Sequence, residues 1–209
     1  MNGLILDNHC ARIEDTPFKM CLHIGKPLQI CNPILLEMLK HWLPAYESFR
    51  VMQWSIPFSC ADICMCLALS IIDVDVEFDK NVCEVVDSLM KDKLITIENV
   101  IDMIKSVVHS DFDDVDNVCR LYIFVCFMVL YFLRNSKIVS NIHCNVLDHI
   151  YRLSRYNWGK TVHSYLVKSL SCAFLALGLT EICLSGSTSI LQVHSTLCND
   201  YFLFVLYFK

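Results

Sequence analysis

Arg120-Leu-Tyr-Ile-Phe-Val-Cys-Phe-Met-Val-Leu-Tyr-Phe-Leu-Arg134 decides the fold of this chain. Leu121 to Leu133 is the longest uninterrupted apolar run, thirteen residues with an arginine at either end. Wound as an α-helix it spans roughly 20 Å at 1.5 Å per residue, against about 30 Å of bilayer hydrocarbon. A segment too short to cross a membrane yet apolar on every face predicts a helix buried at the centre of a core. Asp111, Asp113, Asp114 and Asp116 crowd its start, and Arg134 with Lys137 lie at its end. That charge order complements the helix dipole.

No other stretch argues better for a membrane span. Val162–Leu184 is interrupted by His163, Lys168 and Glu181, and Tyr201–Phe208 has only eight residues. The first seven residues, Met1-Asn-Gly-Leu-Ile-Leu-Asp7, have neither a basic region nor a long apolar one, so secretion is not expected. The expected setting is nuclear or cytoplasmic, and a small membrane-associated helical protein is the alternative.

The 209 residues are 55% hydrophobic and 19% charged, with a mean hydropathy of +0.47. Such a chain can bury enough apolar surface to offset its ordering entropy, which excludes intrinsic disorder. Twenty-two acids against 17 Lys and Arg leave a net charge of −5, the wrong sign for a general nucleic-acid coat. Thirteen cysteines in a chain with no expected signal peptide read as buried free thiols. No two are separated by two residues, so the half-site of zinc ribbons and redox motifs is absent. Cys60, Cys64 and Cys66 lie in an apolar stretch that packs more readily than it ligates.

All five prolines fall within the first 57 residues, which therefore read as short elements and turns. The remainder can hold long helices. Ser59 and Asp62 form a capping-box-like start to a helix that is apolar all round and runs to about Ile72. After the acidic connector Asp73, Asp75, Glu77 and Asp79, helical faces are spelled by Val82, Val85, Val86, Leu89 and Met90, and by Ile97, Val100, Ile101, Ile104 and Val108. Asn141 can cap a helix carrying Val146, Leu147, Ile150 and Tyr151. Asn157 can cap another carrying Val162, Leu166, Leu170 and Ala173, closed by Gly178. Strand-like alternation is scarce, with Phe49–Trp54 the best candidate. The expected fold class is all-α: a single irregular domain of about six to eight helices with a buried central helix around residues 114–134.

Catalytic motifs fail on inspection. Gly159-Lys160-Thr161 looks like the end of a phosphate loop, but Ser154 stands where its first glycine belongs. Gly186-Ser-Thr-Ser189 lacks the second glycine of a nucleophile elbow. His143 and His149 are six apart, the wrong spacing for paired ligands on a helix face, and His163 reads as a solvated or satisfied core histidine. No catalytic residue, cofactor site or metal site is identified, and an enzyme is not expected.

Charge segregation is the physical feature that points to a partner. Residues 73–116 hold thirteen acids against four Lys and Arg, and residues 134–168 hold six Lys and Arg against Asp148 alone. Either these segments face one another, or the second is a basic face for an acidic protein or a nucleic acid. Arg152, Arg155, Tyr156, Trp158 and Lys160 are the candidate interaction face. Tyr156 and Trp158 can stack on bases, or anchor the start of the next helix. A protein partner is favoured over nucleic acid, and a membrane partner is not expected.

Three blocks carry a resemblance. The first is Phe49-Arg50-Val51 through Ile56-Pro57-Phe58-Ser59-Cys60-Ala61-Asp62-Ile63 and on to Leu67-Ala68-Leu69. The second is Arg120-Leu121-Tyr122 to Phe132-Leu133, with Lys137-Ile138. The third is Tyr156-Asn157-Trp158-Gly159-Lys160-Thr161-Val162, with Tyr165-Leu166-Val167, Ser169-Leu170, Gly186 and Ile190-Leu191-Gln192-Val193 beyond it. Over residues 35–193 the chain resembles the aminotransferase-like plant mobile domain family, a transposon-derived domain also found upstream of SUMO-protease-like modules. It departs from the family at Ser70-Ile71-Ile72, where Gly-Leu-Pro is usual, and again from His194 onward.

The resemblance implies residues 1–34 as an N-terminal extension, 35–193 as an incomplete mobile-domain-like unit, and 194–209 as an apolar tail foreign to the family. A chain ending at Val193 is accordingly expected to be as stable and more soluble. The resemblance further implies a non-enzymatic interaction module, nuclear or transposon-associated, with links to transposon silencing and meristem maintenance. A fragment of a transposon polyprotein bearing a SUMO-protease-like module is the other reading. The aminotransferase label implies no chemistry, because no lysine has a pyridoxal-phosphate setting. One expectation is directly measurable: thiol titration in denaturant without reductant should count essentially all thirteen cysteines. Several disulfides, or zinc at stoichiometric level, would defeat it.

Overall fold

A computed structural model describes residues 2–25, 29–71, 74–76, 85, 88–89, 95–108, 115–133, 145–178 and 184–197. The helical face Val82–Met90 lies largely outside the described residues, as do Asp111, Asp113, Asp114, Arg134, Lys137, Asn141 and the stretch 198–209. The chain divides into two compact units, Met1–Lys26 with Ile72–Trp158, and Pro27–Ile71 with Gly159–Lys209.

The first unit is built around the apolar run. Helix α4 (Ile97–Val107) starts at Thr96, whose hydroxyl accepts from the Asn99 N–H at 3.2 Å. Its buried face carries the expected Val100 and Ile104. Helix α5 (Val115–Cys126) continues as a π-helical turn, Phe127–Tyr131. From Val118 to Phe132 nearly every residue is buried, with Arg120 and Val129 the departures. The expected central buried helix is therefore present. Helix α1 (Asp7–Glu14) and α4 both pack on α5.

Around residue 146 an α-helix was expected, but the chain forms 3-10 turns over Asn145–Arg155, broken at His149 by φ −118° and ψ 70°. Val146, Leu147, Ile150 and Leu153 are buried, whereas Tyr151 stays exposed. Arg120 fixes this segment, donating from Nε to the Leu147 carbonyl at 3.0 Å and from Nη1 to Asn117 at 2.7 Å. Its Nη2 donates to the Asp148 carbonyl at 3.4 Å as well, so one guanidinium supplies donors to two successive carbonyls of the segment.

Trp158 closes the unit. Its ring lies edge-on to Phe18 at 4.8 Å and tilted on Phe127 at 5.2 Å, and its indole N–H donates to the Leu153 carbonyl at 2.7 Å. A buried indole that has found its acceptor combines a large apolar contribution with no polar penalty.

The second unit corrects the all-α expectation. It contains a three-stranded antiparallel sheet, β1 (Trp42–Leu43), β2 (Ser48–Val51) and β3 (Trp54–Pro57), in the order β1-β2-β3. Phe49 pairs with Trp42 on one side and Ile56 on the other. These strands have two to four residues, too few for alternation to register in a hydrophobic pattern. The β2–β3 turn lacks the usual Asn-Gly signal as well. Met52 occupies its left-handed position at φ 55°. Strand β3 ends at Pro57, where a missing N–H is tolerated on an edge strand.

Helices complete the unit. Helix α2 (Asn32–Lys40) buries Leu35, Met38 and Leu39. Helix α3 (Cys60–Leu67) begins as expected: the Asp62 carboxylate accepts from the Ser59 N–H at 2.7 Å and from its hydroxyl at 2.8 Å. It stops at Leu67 instead of Ile72, because Ala68 turns left-handed at φ 51°. Only Ile63 and Leu67 of α3 are buried, and Met65 is 70% exposed, so this helix is not enclosed. Helix α6 (Trp158–Leu175) buries Val162, Leu166, Leu170 and Ala173, the face expected of it, and Gly178 follows at φ 80°. Trp42 donates from its indole to the Ser171 hydroxyl at 3.2 Å.

Helix α7 (Thr188–Leu197) contains the boundary at Val193 that the resemblance implied. His194 and Ser195 are buried in it. Two outcomes follow from this packing. Trp158→Ala should cost about 3–5 kcal/mol in urea-induced unfolding, and a loss below about 1 kcal/mol would show that the ring lies outside the core. A chain ending at Val193 should melt about 5 °C below the full chain. An equal or higher melting temperature would show that residues after Val193 contribute nothing.

Candidate functional site

The described residues of the candidate interaction face separate by burial and by unit. Arg152, Arg155 and Tyr156 sit on or just after the 3-10 segment of the first unit, with both arginines exposed. Trp158 is fully buried in that unit and offers no face to a base. Lys160, exposed, belongs to the second unit. The structure adds Tyr151 to the two arginines. Its ring is 61% exposed, with the Arg152 guanidinium carbon 5.8 Å from the ring centroid. The His149 ring nitrogen lies 3.4 Å from the Tyr151 hydroxyl. In a 3-10 helix residues three apart eclipse one another, so Arg152 and Arg155 project from one side. The sequence had placed Tyr151 on a buried face, because it assumed 3.6 residues per turn.

A second feature of the first unit was not legible in the sequence. A cleft of about 330 Å³ is lined by Asn2, Gly3, Cys21, Ile24, Cys126 and Leu130 among others. Asn2 braces its rim, donating to the Leu22 carbonyl at 2.7 Å and accepting from the Tyr122 hydroxyl at 2.9 Å. The Cys21 and Cys126 sulfurs are hydrogen-bonded to one another, and the Tyr131 hydroxyl lies 3.4 Å from the Cys21 sulfur. Hydrogen bonds from Cys126 and Tyr131 bring the Cys21 thiol below its ordinary value in spite of burial. Cys126 is raised well above its own, by that hydrogen bond and by burial. Burial raises Tyr131 as well. Cys119, buried without such a partner thiol, is pushed up to about 12. All nine described cysteines are free thiols, and no group of three or more His, Cys, Asp or Glu among the described residues is placed to hold a metal.

The motifs that failed in the sequence have structural roles here. Gly159 lies so close to the Cys64 sulfur that a Cβ would collide with it, which accounts for a glycine without any phosphate. Gly186, at φ 89°, faces the Tyr165 ring at the turn into α7. His163 donates from Nε2 to the Phe58 carbonyl at 2.9 Å, as a satisfied core histidine would.

His194 is a buried histidine of the second unit, packed between Phe49 and Phe58 with its Nε2 3.9 Å from Asp62. Burial lowers its pKa, while the Asp62 charge and a backbone hydrogen bond at Pro57 oppose the shift. A histidine depressed in the folded state stabilises the fold above its unfolded value of about 6.5 and loses that contribution as pH falls below it. His9 in the first unit, also lowered by burial, acts with the same sign. Unfolding free energy should therefore fall as pH drops below about 6.5. His194→Gln should flatten the slope measured by urea titration, and an unchanged slope would remove His194 from the account.

No helix among the described residues is long and apolar enough to cross a membrane. No curated protein and no solved structure matches the chain. The family model of a domain of unknown function, DUF8566, matches residues 4–192, which includes both the cleft and the Tyr151–Arg155 edge. A match over so much of the sequence shows that the chain belongs to the DUF8566 family.

Proposed function

We propose that this protein is a non-enzymatic interaction module that docks an acidic segment of a partner protein on the exposed side of its 3-10 segment. The observation that carries the reading is the exposed Tyr151 ring with the Arg152 guanidinium carbon 5.8 Å from its centroid, together with the exposed Arg155 three residues beyond Arg152. Arginine forks match carboxylates two bonds at a time. Tyrosine adds contact area at small entropic cost. Acidic protein is favoured over nucleic acid for two reasons. Trp158, the stronger of the two expected stacking rings, is committed to the core, and two arginines on a chain of net −5 neutralise few phosphates. The resemblance to the plant mobile-domain group supports a transposon origin and a nuclear setting, with transposon silencing or meristem maintenance as processes for such a module to serve.

Fluorescence anisotropy with a labelled Asp/Glu-rich peptide tests the reading. The full chain should bind in a salt-dependent manner, and the double variant Arg152→Ala, Arg155→Ala should bind about tenfold more weakly. Equal affinity for the variant, or tighter binding of a single-stranded oligonucleotide of the same charge, would overturn it.

A further inference from the structure

We propose that Cys21 and Cys126 form an oxidation-responsive dithiol, which a small hydroperoxide entering the cleft of the first unit converts to a disulfide. Three independent features meet at this place. Each thiol is the largest influence on the other through a hydrogen bond between them, and the Cys21 sulfur lies 3.4 Å from the Tyr131 hydroxyl. Both thiols line a cleft that admits a molecule the size of hydrogen peroxide or a short alkyl hydroperoxide. The helix carrying Cys126 loses its α-helical register immediately after it. The π turn, closed by Phe132 N–H donating to the Phe127 carbonyl at 2.8 Å, shifts Tyr131 to where its hydroxyl reaches Cys21. Single π turns inside α-helices are frequent at functional sites.

The chemistry assigns the two sulfurs different roles. The Cys21 thiol is the more easily ionised of the two, because hydrogen bonds from Cys126 and Tyr131 favour its thiolate. Its sulfur attacks the distal oxygen of the hydroperoxide and breaks the O–O bond. Cys21 becomes a sulfenic acid, and the leaving oxygen takes the proton that the thiol gave up, departing as water or an alcohol. The Cys126 sulfur then attacks the sulfenic sulfur. A disulfide forms, and the hydroxyl leaves as water with the Cys126 proton. Two electrons pass from the sulfur pair to the peroxide, and a small-molecule thiol resets the pair by exchange. The process is stoichiometric and independent of the interaction face proposed above.

Reduced, desalted full-length protein treated with one equivalent of hydrogen peroxide provides the test. The denatured thiol count should fall from thirteen to eleven. A non-reducing peptide map should then join the peptides of Cys21 and Cys126. Full-length Cys126→Ser, unable to close the bridge, should accumulate a sulfenic acid that dimedone traps at Cys21. If that variant fails to fold, the map of the unsubstituted protein decides alone. Oxidation of the exposed Cys172 while Cys21 and Cys126 remain alkylatable would overturn the proposal, as would a disulfide joining Cys21 to any other cysteine.

Discussion

Leu121 to Phe132 present apolar side chains around the whole circumference of α5 and its π turn, so water has to be excluded from nearly every side of that segment. Each such side chain stabilises the fold by about 1.5–3 kcal/mol when fully buried, and no single packed surface can cover them all. The rest of the first unit follows from that demand. Helices α1 and α4 cover two sides, and Phe18, edge-on to Phe127, and Trp158, tilted on it, close further surface. Elements that would be marginal alone are held because they cover this helix.

Covering a helix so completely also encloses polar groups, and the positions of Arg120, Trp158 and Tyr122 follow from satisfying them. Arg120, the one charged residue flanked by buried neighbours in α5, spends its donors on the Leu147 carbonyl and Asn117. The Trp158 indole takes the Leu153 carbonyl. The Leu147 and Leu153 carbonyls both lie on the 3-10 segment. Its tighter winding also turns Tyr151 outward beside Arg152 and Arg155. The exposure of Tyr151, Arg152 and Arg155 is thus a by-product of how the segment packs.

The same enclosure makes the thiols unequal. Burial alone raises a cysteine, as Cys119 shows, because the thiolate loses its hydration. Cys21 escapes this through two donors that no neighbour in sequence supplies, Cys126 from α5 and Tyr131 from the π turn. At Cys21 the hydrogen bond from Cys126 is the largest influence, and with the smaller one from Tyr131 it outweighs burial.

The residues by themselves determined the buried helix at 121–133, the helical faces of α4 and α6, and the capping box at Ser59 and Asp62, because each rests on local periodicity or a short-range hydrogen bond. They did not reveal the β1-β2-β3 sheet, whose two- to four-residue strands exist through pairing partners such as Trp42, Phe49 and Ile56 and leave almost no pattern along the chain. Nor could they place Tyr151, since a change from 3.6 to 3 residues per turn moves a side chain to another face, and the Arg120 contacts that accompany the tighter winding come from a distant helix. Of the candidate residues, the basic ones and the anchoring of Trp158 at the start of its helix were legible, whereas the rings that enclose it, Phe18 and Phe127, were not, because they come from distant segments. The Cys21–Cys126 pair, 105 positions apart, was decided by tertiary structure alone: only packing α5 against the N-terminal segment brings those two sulfurs within reach of one another.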